Sequence, residues 1–405
     1  MNGFNRGIYG LALVAALGAG AAQAQISDGV IKIGVLSDMS SLYTDLAGAG
    51  SVAAAKMAVE DSGIEKRGYK VEIVSADHQN KPDVGSNIAR QWYDVDHVDA
   101  IVDVPNSGVA LAVNQITRDK GKAFLAVGPG TSDLTGKACS PNTVHWAYDT
   151  WMLANGTGTA ITKQGGDTWF FIAADYAFGA ALERDTTAAV IRNGGKVLGG
   201  VKVPLNTQDF SSFLLQAQAS KAKIIGLANA GGDTTNSIKQ AAEFGIVKGG
   251  QKLAGLLVFL TDVHALGLQT AQGLTFTTTF YWDMNDQTRA FAKRFAAADK
   301  GIYPTMIHAG VYAVVLDYLK AVEALKSDDG TKVIAKMKEM PTDDPLFGKG
   351  SIRVDGRKIH PAYLVQVKTP AESKAPWDYY KIVATIPADQ AFRPLADGDC
   401  PLVKK

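Results

Sequence analysis

Short apolar runs alternate with amphipathic helical stretches through the first three hundred residues of the chain. Residues 30–36 read as a strand, and 49–61 as a helix with Ala, Met and Val on one face. Residues 71–75 form the next strand and 83–93 the next helix, with Pro82 placed where a first helical turn tolerates it. A strand at 100–104, a helix at 108–118 and a strand at 123–127 continue the series. After a helix over 151–162, a second series begins, with strands at 168–173, 196–203, 223–228, 253–259 and 274–278. Its helices start near Phe178, Ser211, Thr234, Val263 and Asp286. Repeated βα units of this length imply parallel sheets joined by right-handed crossovers, and two successive series imply two lobes. Beyond them, 305–325 is a long helix with an apolar stripe and 332–340 a shorter one. Residues 363–367 and 379–384 then read as strands of a small antiparallel addition between Pro-containing turns.

The first residues fall outside this pattern. Arg6 is the only charge before residue 25, an apolar run covers 8–22, and Ala22-Gln23-Ala24 fits the small-x-small site that signal peptidase cleaves. The run is too short and too rich in Ala and Gly for a transmembrane helix, which takes roughly 20 strongly apolar residues. Export with cleavage near Ala24 is the expectation, and an uncleaved anchor or a disordered tail is the alternative. No Cys near that site offers a thiol for a lipid.

Charge narrows the classes further. Lys and Arg number 41 against 40 Asp and Glu, a formal +1 that falls to zero without Arg6. Such a chain has no clustered basic face for nucleic acid and no polybasic patch for anionic lipid. The two cysteines, Cys139 and Cys400, suggest one disulfide in an oxidising compartment. Two buried free thiols are the alternative. A catalytic thiol is disfavoured, since Lys137-Ala138-Cys139-Ser140-Pro141 supplies no activating base.

In open parallel sheets ligands bind at the carboxyl ends of the strands, so the residues after each strand are the ones to read. In the first series these are Ser37 to Tyr43, including Ser40, Ser41 and Tyr43; Pro105-Asn106-Ser107-Gly108; and Gly128-Pro129-Gly130-Thr131-Ser132. Hydroxyls and bare amides at helix N-termini suit an anion. Plain helix capping is the competing explanation for each loop alone. The second series places Tyr176 after its first strand, Asn229 to Thr234 with Asp233 after its third, Thr261-Asp262 after its fourth and Phe280-Tyr281-Trp282-Asp283 after its last. Their rings suit an apolar ligand body and their acids an ammonium, although Phe280 and Trp282 equally suit a lobe interface.

Enzyme motifs are thin. Gly48-Ala49-Gly50-Ser51-Val52-Ala53 lies about a dozen residues past its strand, whereas a dinucleotide fingerprint needs its glycines in the strand-to-helix turn itself. Residues 130–138 have the wrong spacing for a phosphate loop, and no Gly-x-Ser-x-Gly elbow occurs. The six His (78, 97, 145, 264, 308 and 360) show no metal-ligand spacing. No cofactor or metal is expected.

Ile31-Lys32-Ile33-Gly34-Val35-Leu36, Met39-Ser40-Ser41 and the stretch GAGSVAAAKMAVED at 48–61 together resemble the start of periplasmic solute-binding proteins of the branched-chain amino acid (leucine/isoleucine/valine-binding) type. DHQNKP at 77–82, GTSDLT at 130–135, ADYAFG at 174–179 and AAEFGI at 241–246 extend the resemblance over the mature chain. It implies an α/β type I periplasmic binding protein: two Rossmann-like lobes joined by three crossover segments, a monomer in the periplasm that serves an ABC importer's membrane permease. Lobe 1 is expected to hold 26–147 and 284–347, lobe 2 148–283 and 348–386, with 387–405 a C-terminal tail. Positions matching the family's carboxylate grip are Ser40, Ser41, Asn106, Ser107, Gly128, Gly130 and Thr131. Tyr176 matches a second-lobe tyrosine, and Asp262 is nearest to the acid that holds an ammonium. Ser40-Ser41, where the family has Ser-Gly, and the unusual Thr261-Asp262-Val263-His264 turn leave the ligand open: a branched-chain or related amino acid, or an aromatic or aliphatic acid lacking an amine. A sensor of the same fold and an exported enzyme are the competing functions.

Overall fold

The structure is a computed structural model that describes residues 26–404. The leader and its cleavage site lie outside the described residues.

The first lobe is a five-stranded parallel sheet. Its strands are β1 (Ile31–Ser37), β2 (Val71–Asp77), β3 (Ala100–Asp103), β4 (Ala123–Ala126) and β5 (Thr143–His145), in the order β2-β1-β3-β4-β5. The helices between them are α1 (Gly48–Ser62), α2 (Pro82–Asp94) and α3 (Ser107–Lys120). β3 and β4 are buried throughout, as strands covered by helices on both faces must be. β5 is a strand that the sequence pattern missed, being only three residues long.

The chain then enters a helical stretch, α4 (Thr150–Leu153) and α5 (Thr159–Lys163), joined through a wide helical turn over Ala154–Gly158. The second parallel sheet holds β6 (Thr168–Ala174), β7 (Lys196–Val203), β8 (Ile224–Ala228) and β9 (Lys252–Gly255) in the order β7-β6-β8-β9. Its helices are α6 (Ala177–Arg192), α7 (Ser211–Ala219) and α8 (Gly232–Glu243), with α9 (Leu260–Leu266) and α10 (Leu268–Ala271) after β9. The expected strand at 253–259 is shorter than its apolar run: β9 stops at Gly255, and Leu256 to Phe259 turn toward the other lobe before α9. β10 (Thr275–Thr278) was expected to close the parallel series, and it does not. It pairs antiparallel with a later strand, in a separate three-stranded sheet.

α11 (Asp286–Ala298), α12 (Met306–Leu325) and α13 (Gly330–Glu339) return to the first lobe. α12 is apolar nearly all round and is accordingly buried along most of its length. Thr305 caps it, its hydroxyl accepting from Ile307 N at 3.2 Å. The antiparallel strands β11 (Thr342–Asp344), β12 (Gly348–Ile352) and β13 (Lys358–Ile359) follow, and a bridge from Arg357 to His145 ties them to the first sheet. Residues 348–359, expected in the second lobe, are therefore held on the first, and the last crossing comes after residue 359. β14 (Ala362–Val367) and β15 (Tyr380–Ile386) complete the sheet that β10 begins. The tail, including the short α14 (Ala388–Ala391), runs back to the first lobe, where Cys139 and Cys400 are disulfide-bonded with their Cα atoms 5.6 Å apart.

The crossings meet at a buried cation. The Arg357 guanidinium, fully buried, donates to the carbonyls of Trp146 and Tyr148 and lies 3.4 Å from Asp149. The Phe392 ring of the tail covers it, its centroid 4.4 Å away. One side chain thus satisfies the carbonyls of the first crossing from the third.

Candidate ligand cleft between the lobes

The carboxyl ends of both parallel sheets face one another, and the side chains that meet there are mostly aromatic. Tyr43, Leu46, Pro105, Gly128, Gly130 and Tyr148 come from the first-lobe side; Tyr176, Phe178, Ala230, Leu257 and Phe259 come from the second. The space left between them is about 10 Å3, room for about one water. Tyr43 and Tyr176 close it with a hydrogen bond between their hydroxyls at 2.6 Å, a direct bond from lobe to lobe. Burial raises the pKa of both phenols, so both stay protonated and can donate.

The local backbone aims these groups. Asp103 and Val104, at the end of β3, have φ of +81° and +61°. Two consecutive left-handed residues, one of them β-branched, cost of the order of 1–3 kcal/mol each and reverse the chain so that Pro105 reaches the cavity. The Asp103 carboxylate accepts from Ser37 Oγ at 2.8 Å, and burial pushes its pKa up to about 6. Gly128 packs against it: a Cβ there would lie 2.6 Å from Asp103 Oδ1 and 2.7 Å from the Pro105 Cα. Because backbone is involved, Gly128→Ala is expected to lower stability by about 1–3 kcal/mol, ligand or none, as overpacking does. Urea denaturation checks this, and an unchanged midpoint would contradict it.

Several residues expected to grip an anion are otherwise engaged. The Ser41 hydroxyl binds both Asp38 oxygens, at 2.9 and 2.8 Å, and the Ser40 hydroxyl binds Asp77. The Asn106 side chain caps α3 by accepting from Gly108 N and Val109 N, and Ser107 Oγ accepts from Thr131 N at 3.2 Å. Thr131 Oγ1 accepts from Asp133 N. Capping and loop bracing account for all five. Asn229 is likewise internal, bonded to Thr234 and Ser237 around the start of α8.

The acids are also placed differently from the sequence expectation. Asp262 caps α9, its Oδ2 accepting from Phe259 N at 2.8 Å, and burial pushes its pKa up to about 7. It does not line the inner cavity; after β9 that wall is made by Leu257 and Phe259. Asp262 lines instead, with Ser40, Ser41, Asp45, Asn206 and Thr261, a wider polar groove that adjoins the cavity at Leu46. Asp233 accepts from Asn206 N at 3.2 Å through Oδ2, while its buried Oδ1 has no partner; burial pushes its pKa up to about 7 as well. Tyr281 stands outside the cavity, its hydroxyl engaged with the 377–380 segment next to β15.

Of the expected residues, Tyr43, Gly128, Gly130 and Tyr176 converge on the cavity. Leu46, Pro105, Tyr148, Phe178, Ala230, Leu257 and Phe259 complete it, and sequence reasoning did not single them out. Pro105, Ala230 and Leu257 each follow a strand end by two residues, a positional signal that polar-residue criteria pass over.

A periplasmic binding protein family model matches residues 30–374. A crystal structure of a periplasmic binding protein from Burkholderia mallei is 52% identical, with a TM-score of 0.91, covering 93% of this chain and all of that one. A branched chain amino acid ABC transporter periplasmic ligand-binding protein from Burkholderia xenovorans LB400 is 44% identical, with a TM-score of 0.80, covering 92% of this chain and 99% of that one. The Leu/Ile/Val-binding protein homolog 6 of Brucella melitensis is 24% identical over 90% of this chain and 93% of its own length. The chain belongs to the periplasmic binding protein family, with its type I two-lobed fold, and is an extracytoplasmic ligand-binding receptor.

Proposed function

We propose that this receptor captures a small carboxylic acid with a flat or otherwise apolar body and no ammonium group, and delivers it to the permease of an ATP-binding-cassette importer. The observation that carries this reading is the wall of the inner cavity: aromatic and aliphatic side chains whose polar tips are phenol hydroxyls, with no acid among them. Phenols donate to a carboxylate, and rings pack on a flat apolar body. A buried ammonium without a carboxylate partner would cost several kcal/mol. A ring-sized ligand enters by parting Tyr43 from Tyr176, and re-closure around it adds contacts that only the closed form makes. The protein works as a monomer in the periplasm, after cleavage near Ala24, binds no nucleic acid and catalyses no reaction.

The matched pair 3-phenylpropionate and L-phenylalanine tests the ligand class, since the two differ only in the ammonium. A thermal melt should rise with the first and stay put with the second, because a ligand of the native state alone stabilises it. The reverse result would refute the proposal. It would favour an amino acid held by the free Oδ1 of Asp233, and Asp233→Asn should then abolish the shift.

Asp262→Asn separates the two readings independently. As an α9 cap with its folded pKa raised to about 7, Asp262 contributes stability that is complete below pH 4 and lost as pH rises toward 7. Asparagine keeps the capping oxygen without the charge. Relative to wild type the variant should therefore melt higher at pH 8 than at pH 5, with acid binding intact; loss of binding would make Asp262 a ligand contact.

A further inference from the structure

Helix α6 carries two cavity residues at its start, Tyr176 as N-cap and Phe178 in the first turn. Two turns further on, about 12 Å along the axis, the same helix meets the first lobe a second time. The buried carboxylate of Asp185 accepts from Ser132 Oγ at 2.7 Å and from Thr150 Oγ1 at 2.6 Å. Arg184 donates to Ser132 Oγ at 2.8 Å and to Asp133 Oδ1 at 2.9 Å, and is tied to Asp185 Oδ1 at 2.8 Å. Ser132 and Asp133 belong to the turn that follows Gly130 and Thr131, so both ends of the contact lie on chain continuous with the cavity. That turn is braced from behind, since Arg393 of the tail donates to Ser132 O at 3.0 Å and Cys139 is bonded to Cys400.

We propose that Arg184 and Asp185 are positioning residues for closure, clipping α6 of the second lobe to the Ser132–Asp133 turn of the first. The clip fixes the register in which Tyr176 and Phe178 come down over Gly130, without touching the ligand. It rests on the reading that lobe closure is the capture step. Hydrogen bonds to a buried carboxylate are the stronger kind, so losing them shifts the closed-to-open ratio by about tenfold. The Arg184–Asp133 pair is partly exposed and contributes less.

Spin labels at Lys81 and Gln208, exposed positions on the two lobes near the polar groove, report interlobe distance in the ligand-free protein. Wild type should populate a short distance that Asp185→Asn and Ser132→Ala deplete about tenfold relative to the long one, and Arg184→Ala by a smaller factor. Distance distributions that superimpose on wild type would overturn the clip. Should Asp185→Asn fail to fold, Ser132→Ala and Arg184→Ala decide, Arg184 being about half exposed. A second arm adds benzoate as probe: the variants should need about tenfold more of it to reach the wild-type short-distance population, and equal titrations would also overturn the clip. If benzoate leaves wild type unmoved, the ligand class is what fails, and the ligand-free comparison still decides the clip.

Discussion

Gly130→Val should weaken acid binding by about tenfold to a hundredfold while leaving the unliganded melting temperature nearly unchanged. A Cβ at Gly130 would lie 2.7 Å from the Phe178 ring and 3.2 Å from Tyr148. Phe178 belongs to the other lobe, so the closest part of the clash exists only when the lobes are closed. Overpacking costs typically about 1–3 kcal/mol, and here that penalty falls on one side of the opening equilibrium. Calorimetric titration with 3-phenylpropionate, beside a melt without ligand, checks both halves. A large drop in the unliganded melt with affinity preserved would mean that Gly130 serves the fold of its own lobe instead. The contrast with Gly128 is informative, because Gly128 abuts Asp103 and Pro105 of the same lobe and its substitution penalises every state.

Breaking the Cys139–Cys400 bond should have the largest effect on stability. The bond joins residues 261 positions apart in sequence, and removing such a cross-link typically costs about 2–5 kcal/mol. The tail it anchors also supplies Phe392 over Arg357 and Arg393 to the Ser132 carbonyl, so its release uncovers the buried cation at the crossings. Cys139→Ser with Cys400→Ser is expected to lower the urea midpoint markedly. Peptide mapping without reductant should recover the two cysteines in one linked pair. Free thiols at both positions, with an unchanged midpoint in the double variant, would contradict this account.

Most of the fold was legible because parallel strands covered on both faces must be continuous apolar runs, and the helices between them must be amphipathic. Residues 123–127, an unbroken apolar run, hold β4, which is buried throughout. What escaped was set by partners distant in sequence. β10 falls where the next parallel strand of the series would, yet its hydrogen bonds go to β14, nearly ninety residues later. β12 and β13 are short and half polar; β12 pairs with β11 and β13 with β12, and the bridge to His145 and the Arg357 side chain hold them on the first lobe. At the cleft, reading strand-end loops for polar residues led to Tyr43, Gly128, Gly130 and Tyr176 at the inner cavity and passed over the apolar side chains beside them. Asn106 and Thr131 are turned to backbone amides and Ser41 is held by Asp38 at the polar groove, whereas Pro105, Leu257 and Phe259, apolar and inconspicuous, face the gap. The acid expected after the fourth strand is present as Asp262, but α9 starts so close to it that its carboxylate is spent on the helix cap.

A crystal structure grown with 3-phenylpropionate bears most directly on the idea that an apolar acid is enclosed where the two sheets face each other. The expected density is a ring against Phe178 and Phe259, its carboxylate within 3.2 Å of at least two of the Tyr43, Tyr148 and Tyr176 hydroxyls, with Tyr43 and Tyr176 no longer bonded to each other. Density in the polar groove beside Asp262 instead, with Tyr43 and Tyr176 still joined, would contradict it.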